Sequence, residues 1–258
     1  MSKQLIPAQR REQIQEYLAL NNVASSSDLS TLLGVSEATV RRDLAWLENA
    51  GFLSRTHGGA VLSQQLQVEP AYTKRTQHQV SEKRAIGKLA ASLISNGDIV
   101  FINSGTTTTQ LIKQLQPGLD ASLITNNLAA VMEIGENSCE LILLGGEYQS
   151  KSRSAAGRFA VENLSQIYAD KAFIGVDGIS PEHGCTVPSN NEAEVIRMMI
   201  DRTQGPVYIL ADHSKWGLIS NFEVAKFSHF QHFISDPGLS AEQQQILHNY
   251  SIETLIAS

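Results

Sequence analysis

Residues 101 to 111, FINSGTTTTQL, run from an apolar segment into a glycine and four consecutive threonines. Amides and hydroxyls gathered where a helix begins can hold an anion: the first-turn N–H groups lack intrahelical partners, and the helix dipole favours negative charge there. Ser104, Gly105, Thr106, Thr107 and Thr108 would supply that chemistry, with Gly105 letting the backbone approach closely. Four other short stretches could join them: Asn126 in TNN, Gly146 in GGE, Asp177 in VDGI, and Asp212 with Lys215 in DHSKWG. Lys215 would neutralise a phosphate dianion as a compact charge. Asn126, Asp177 and Asp212 offer the hydrogen bonds of a polyhydroxy chain, although aspartates also cap helices and build turns. A compact sugar phosphate satisfies the whole set. A nucleotide fits less well, because neither GxGxxG nor GxxxxGK[ST] is present.

A second chemistry resides in SEATVRRDLAWLENAG. At 100° per residue Val40, Leu44 and Leu47 fall within about 60° of one another, and Ala38, Arg41, Arg42 and Ala45 take the opposite side. Arginine reaches both phosphates and the O6/N7 edge of guanine, and alanine keeps a helix close to the groove floor. Ser36, at the expected N-cap, and Thr39 complete a face that can enter a major groove. Arg55 and His57, in FLSRTHGGAVL, would lie beside it near the DNA backbone.

The elements that must position these residues fall into three segments. In residues 1 to 62, Ile14, Tyr17 and Leu18 mark one helix, and Leu29, Leu32 and Leu33 mark a second that Gly34 stops. A three-residue turn leads into the arginine helix, and a hairpin follows with Gly58 and Gly59 near its tip. This pattern predicts a winged helix-turn-helix. Residues 63 to 80 are polar, lack a sustained apolar period and read as a linker with room for a helical stretch. From residue 81 to 258 the chain alternates helix and strand, beginning with a helix that Ser81 should cap. The runs DIVFI, ASLIT, CELILL, KAFIGV and PVYILA predict an α/β domain with a mostly parallel sheet. Each run is followed by one of the five polar stretches, so all five should meet at the carboxyl edge of the sheet, where such folds bind ligands.

With 258 residues and 42% hydrophobic composition the chain can bury two unequal cores. No stretch approaches the roughly 18 apolar residues of a membrane helix, and the expectation is a soluble cytoplasmic protein without membrane partners. Cys139 and Cys185 are far apart in sequence and read as free thiols. The net charge is −6. Residues 1 to 62 carry six basic and six acidic side chains, and the remainder carries 14 basic and 20 acidic. One neutral reader domain predicts weak, salt-sensitive DNA binding, so several copies should act on repeated half-sites.

The spacing of Arg10, Ile14 and Leu18, then SEATVRRDL and GGA, resembles the DeoR family of bacterial transcription regulators. The resemblance continues through EKRAIGKLAA, GTTT, TNN, GGE and DHSKWG, nearly the whole chain. It implies an effector domain similar to ribose-5-phosphate isomerase, with no cofactor, and phosphorylated sugars or related intermediates as usual ligands. It further implies a homo-oligomer, dimer or tetramer, on double-stranded operator DNA, most commonly a repressor relieved by effector. Carried over by position, the phosphate loop falls on Ser104 to Thr108 and the lysine loop on Asp212, Ser214 and Lys215. The acidic helix start falls on Glu192 and Glu194. Ile196 stands where many members have lysine, and Asn103 stands where aspartate is frequent, which would alter the hydroxyl or charge recognised. An active isomerase is the alternative, with Glu192, Glu194 or Asp177 as base. Against it, TVPSNNEAE lacks the glycines and lysine of the isomerase segment, and GVDGI keeps one aspartate.

Overall fold

The computed structural model describes residues 6–21, 23–49, 52–56, 58–62, 72–134 and 139–258. The chain divides into two compact units, Met1–Pro70 and Ala71–Ser258.

In the first unit, α1 (Pro7–Asn21) is followed by β1 (Val23–Ser25), α2 (Ser26–Leu33), α3 (Glu37–Asn49), β2 (Leu53–Thr56) and β3 (Gly59–Leu62). The turn between α2 and α3 is set at both ends. The Ser25 side chain accepts the Asp28 N–H, and Gly34 takes a left-handed conformation, φ 63°, that donates its own N–H to Ser30 O. Ser36 then caps α3, its hydroxyl accepting the Thr39 N–H at 3.3 Å. Ile14, Leu18, Leu29, Leu33, Val40, Leu44 and Leu47 form one core. Beside it, Asp43 is nearly inaccessible and receives Arg10 Nε at 2.8 Å and Arg11 Nε at 3.1 Å, tying α1 to α3. The wing is a three-stranded antiparallel sheet, β1-β3-β2, in which Thr56 faces Gly59 across the hairpin. The sequence pattern reveals the hairpin and not β1, whose three residues are too few for an alternation to show.

The second unit begins with α4 (Tyr72–Arg75), α5 (Val80–Ser92), β4 (Ile99–Ile102), α6 (Thr106–Lys113), β5 (Ser122–Thr125), α7 (Leu128–Val131) and β6 (Glu140–Leu143). Next come β7 (Glu147–Gln149), β8 (Ser154–Ala156), α8 (Arg158–Leu164), β9 (Lys171–Gly175), β10 (Gly178–Ser180), β11 (Gly184–Val187) and α9 (Asn190–Asp201). The chain ends with β12 (Val207–Leu210), β13 (Phe222–Ala225), β14 (His232–Ser235), α10 (Ala241–Asn249) and β15 (Glu253–Ile256). Seven parallel strands make the main sheet in the order β15-β14-β12-β9-β4-β5-β6. Hydrophobic layers centred on Phe101, Ile174 and Phe233 and on Ile102, Phe173 and Ile234 cover its two faces. The order reverses between β4 and β9, the position where an open α/β sheet leaves a crevice beyond its carboxyl edge.

Two expectations are corrected here. Ser81 does not cap α5: that helix begins at Val80 after Gln79, whose φ is 49°, and the Ser81 hydroxyl bonds Glu82. The polar stretch after residue 71 is not a bare connection, because α4 is built into the second unit with Tyr72 and Arg75 buried. A single helical turn is too short to register as a period. α5 and α6 approach closely at Gly87, where an added Cβ would stand 2.5 Å from the Gln110 carbonyl carbon. Lys83, one turn earlier on α5, lines the same cavity as Thr106 at the start of α6.

Candidate functional site

On α3 the candidate reading face is exposed at Ala38, Arg41 and Arg42 and half-buried at Thr39 and Ala45. Ser36 is exposed, and its hydroxyl is tied to that of Thr39 at 3.0 Å. The cations differ in their engagement. Arg41 reaches back one turn to Glu37 at 3.3 Å, and Arg55 pairs with Glu48 at 2.6 Å. Arg42 makes no ion pair with a described residue. Two carboxylates therefore hold arginines in place on the face, and Arg42 projects without one. Trp46, half exposed on the same helix, carries the Arg11 guanidinium 4.2 Å from its ring centre. His57 lies outside the described residues.

In the second unit the loop after β4 is shaped by buried amides. Asn103, 2% exposed, donates Nδ2 to Gly175 O at 2.9 Å and accepts the Gly175 N–H on Oδ1 at 2.7 Å. It therefore clamps β4 to β9 at the sheet reversal, which corrects the expectation that it chooses a ligand hydroxyl. Asn126, also buried, accepts the Ser104 N–H at 2.8 Å and donates to Ala155 O at 2.9 Å. Its amide builds the loop, and the Ser104 N–H is already committed. Gly105 is extended, φ 163°, a conformation open to any residue, and an added Cβ would meet only the Thr108 hydroxyl at 3.2 Å.

What remains for an anion is specific. The amides of Thr106, Thr107 and Thr108 form the first turn of α6 and have no helical acceptor. The hydroxyls of Thr106 and Thr107 make no hydrogen bond with a described residue, whereas those of Thr108 and Thr109 donate to Gly105 O at 3.1 and 2.8 Å. Asn127, unremarked in the sequence, steadies the same carbonyl with Nδ2 at 3.3 Å and caps α7 through Oδ1. Gly146 sits apart from this cluster: it is exposed, and its missing side chain makes room for Ala156 O, 2.6 Å from where a Cβ would lie.

Titratable groups surround the crevice in one electrostatic network. Asp212 caps the turn His213–Lys215, accepting the Ser214 amide at 3.1 Å and the Ser214 hydroxyl. Burial pushes the Asp212 carboxyl up, but Lys215, the Ser214 hydroxyl and Lys83 outweigh it and hold the group below the ordinary carboxylate range. Lys83 is itself nearly inaccessible, and burial, with the charges of Lys215 and Arg75, lowers its ammonium to about 8 against the opposing pull of Asp212. Its Nζ donates to Arg75 O at 2.8 Å and His78 O at 2.7 Å. Asp177, beyond β9, pairs with Arg75 Nη1 at 2.9 Å. Glu192 at the start of α9 is raised by burial and by the charge of Asp177, and the Ser154 hydroxyl donates to it at 3.2 Å. Glu194 is exposed and accepts from Asn190, and Ile196 is buried in the core. Lys83 and Arg75 are the residues that sequence reasoning missed. Lys83 had a signal: it shares the apolar stripe of Ile86 and Ala90, where a lysine is out of place.

Comparison with known proteins gives this arrangement a lineage. The model of the DeoR-like helix-turn-helix domain matches residues 10–66, and that of the DeoR C terminal sensor domain matches residues 78–237. The chain belongs to the DeoR family of transcriptional regulators. The transcriptional repressor GlcR of Bacillus subtilis is 40% identical over 225 residues, covering 86% of each chain. The regulator GlpR of Haloferax volcanii is 30% identical over 93% of this chain and 94% of its own. Among solved structures, ribose 5-phosphate isomerase A from Methanocaldococcus jannaschii aligns over 52% of this chain and 53% of its own, at 17% identity and a TM-score of 0.36. As in the family models, the DeoR-type reader and sensor are successive segments, and the arginine face of α3 and the first turn of α6 lie in different units.

Proposed function

We propose that this protein is a cytoplasmic repressor of carbohydrate catabolic genes whose hold on operator DNA is set by a phosphorylated sugar. α3 enters the major groove with Ala38, Thr39, Arg41, Arg42 and Ala45, and Arg55 on the wing approaches the backbone. The phosphate lies on the amides and hydroxyls of Thr106 and Thr107 and the amide of Thr108, facing the charges of Lys83 and Lys215. The free oxygen of Asp212 and the rim around Ser104, Asp177 and Glu192 meet the sugar hydroxyls. A homo-oligomer places reader units on repeated half-sites, because one formally neutral unit binds DNA weakly. A ligand that prefers one of two conformations then shifts the population able to bind.

The observation that carries the reading is the unpartnered first turn of α6, whose Thr106 shares a cavity with the buried Lys83, in a family of transcription regulators. Sensing without turnover is favoured by the carboxylates. A base for proton abstraction must face the substrate unencumbered; Asp177 is paired with Arg75, and Glu192 is buried against Ser154.

A thermal-shift panel of pentose and hexose phosphates beside their unphosphorylated counterparts tests the reading. A phosphorylated member should raise the melting temperature, and Lys215→Ala should abolish that rise while leaving operator binding without ligand intact. Turnover of any member, lost in Glu192→Gln, would replace the sensor with an enzyme.

A further inference from the structure

α4 is the first described segment after the connection from the reader unit, and hydrogen bonds at both of its ends lead to the residues around the start of α6. The Thr109 hydroxyl has one hydrogen, directed at Gly105 O at 2.8 Å. Its two lone pairs are therefore left for Asn127 Nδ2 at 2.9 Å and the Tyr72 hydroxyl at 2.8 Å, which makes Tyr72 the donor. The Gly105 carbonyl belongs to the same peptide group as the Thr106 N–H, the first amide of the cradle. Tyr72 O–H, Thr109 O–H and that peptide thus form one chain of hydrogen bonds, in which each bond strengthens the next. The Tyr72 N–H also donates to Lys151 O at 2.8 Å, fixing the start of α4 on the turn before β8.

The other end of α4 is held by Lys83, which lines the same cavity as Tyr72 and Thr106. Lys83 directs two of its three ammonium hydrogens at Arg75 O and His78 O, so one remains for an anion. Beside α4 lies a cavity of about 660 Å³ whose walls include Tyr72, Thr73, Thr76, Lys83, Thr106 and Lys113. A packed segment shifts only where such space exists.

We propose that α4 is a strap that reports occupancy of the cradle. An anion on the Thr106 amide and the third hydrogen of Lys83 strengthens both hydrogen-bond chains at once and tightens α4 onto the sensor. The segment leading to the reader unit thereby leaves the sensor from a firmer anchor when ligand is bound. Tyr72 and Lys83 are the two links, and Tyr72 is a positioning residue that touches no ligand. The inference rests on the phosphate-binding reading above.

Hydrogen exchange on the full chain, with and without inorganic phosphate, tests it in wild type and Tyr72→Phe, which removes one hydroxyl. In wild type, phosphate should slow exchange severalfold both at residues 104–109 and at residues 72–79. In Tyr72→Phe the protection at 104–109 should persist and that at 72–79 should shrink severalfold. Operator affinity without ligand should match wild type in this variant, and its response to ligand should be diminished. Protection confined to 104–109 in wild type, or a Tyr72→Phe pattern identical to wild type, overturns the strap and leaves the anion cradle standing. Phosphate that protects neither segment overturns the cradle, and the strap with it.

Discussion

The two units handle charge in opposite ways. In the reader the arginines of the candidate face are exposed, and carboxylates hold two of them loosely: Arg41 to Glu37 and Arg55 to Glu48, with Arg42 unpaired among the described residues. In the sensor the charged groups of the crevice are buried or half-buried and linked: Lys83 feels Asp212, Arg75 and Asp177, and Glu192 feels Asp177 and Arg75. An exposed arginine can be redirected to a phosphate or base at small expense, since a surface pair contributes about 0–1 kcal/mol. A buried network cannot give up one member so cheaply, and its geometry is set before any ligand arrives. Under the proposed function, the reader adapts its side chains to a long polyanion and the sensor recognises one compact anion in a fixed place.

The sharpest way to break this contrast is to remove Asp43, a buried charge of the reader. Asp43→Ala leaves Arg10 and Arg11 without their shared carboxylate and should destabilise the first unit by about 2–3 kcal/mol, less than the ~3–5 of a fully buried pair because both guanidiniums reach water. Hydrogen exchange should rise across residues 7–62 and stay unchanged in the sensor. Arg42→Ala should weaken operator binding by roughly 1–3 kcal/mol, the range of a lost base contact, with ligand-induced stabilisation untouched. Operator affinity equal to wild type would remove Arg42 from the interface.

A pH titration probes the interlocked side of the comparison. With Lys83 at about 8, the ammonium is charged below that pH and neutral above it, whereas a phosphate monoester, with its second pKa at ~6, keeps a constant charge there. Affinity for a phosphorylated ligand should therefore fall by about tenfold as pH rises from 7 to 10, the size of one charge-assisted hydrogen bond of ~1.5 kcal/mol. Lys83→Met should flatten that dependence. Without ligand the sign is opposite. The folded-state value lies below the unfolded 10.5, so the unfolded chain binds more protons between about 8 and 10.5, and Lys83 favours the fold increasingly as pH climbs through that window. The smallest effect belongs to Arg41→Ala: its i,i+4 pair with exposed Glu37 should contribute only a few tenths of a kcal/mol to stability, and any operator loss should be smaller than that of Arg42→Ala.

How much was legible follows the same division. The candidate face of the reader could be read from its sequence because it lies on a helix whose period exposes it: Val40, Leu44 and Leu47 turn inward, so Ala38, Arg41 and Arg42 must turn outward. The sheet and its polar edge were legible from five apolar runs. The short strands β14 and β15 were not, because HFIS and ETLI mix polar and apolar residues. Within the crevice, residue type misled. Asn103 and Asn126 are polar at a ligand-binding edge, yet their amides fasten backbone to backbone. Arg75 was missed because the contact that defines it runs to Asp177, 102 residues along the chain; Lys83 stood out of place on the apolar stripe of α5, but its charge partner Asp212 is far along the chain. No local pattern encodes partners so distant.

The claim that joins the two units is that a phosphorylated sugar, read and not transformed, changes the hold on DNA. Fluorescence anisotropy of labelled operator with the full chain, titrated with phosphorylated sugars and each unphosphorylated counterpart, tests it directly. One phosphorylated sugar should change the operator Kd by about 5–150-fold, the span of a coupling of ~1–3 kcal/mol, and its counterpart should leave the Kd unmoved. A counterpart as effective as its phosphorylated form, or no response to any phosphorylated sugar in the panel, would contradict the account.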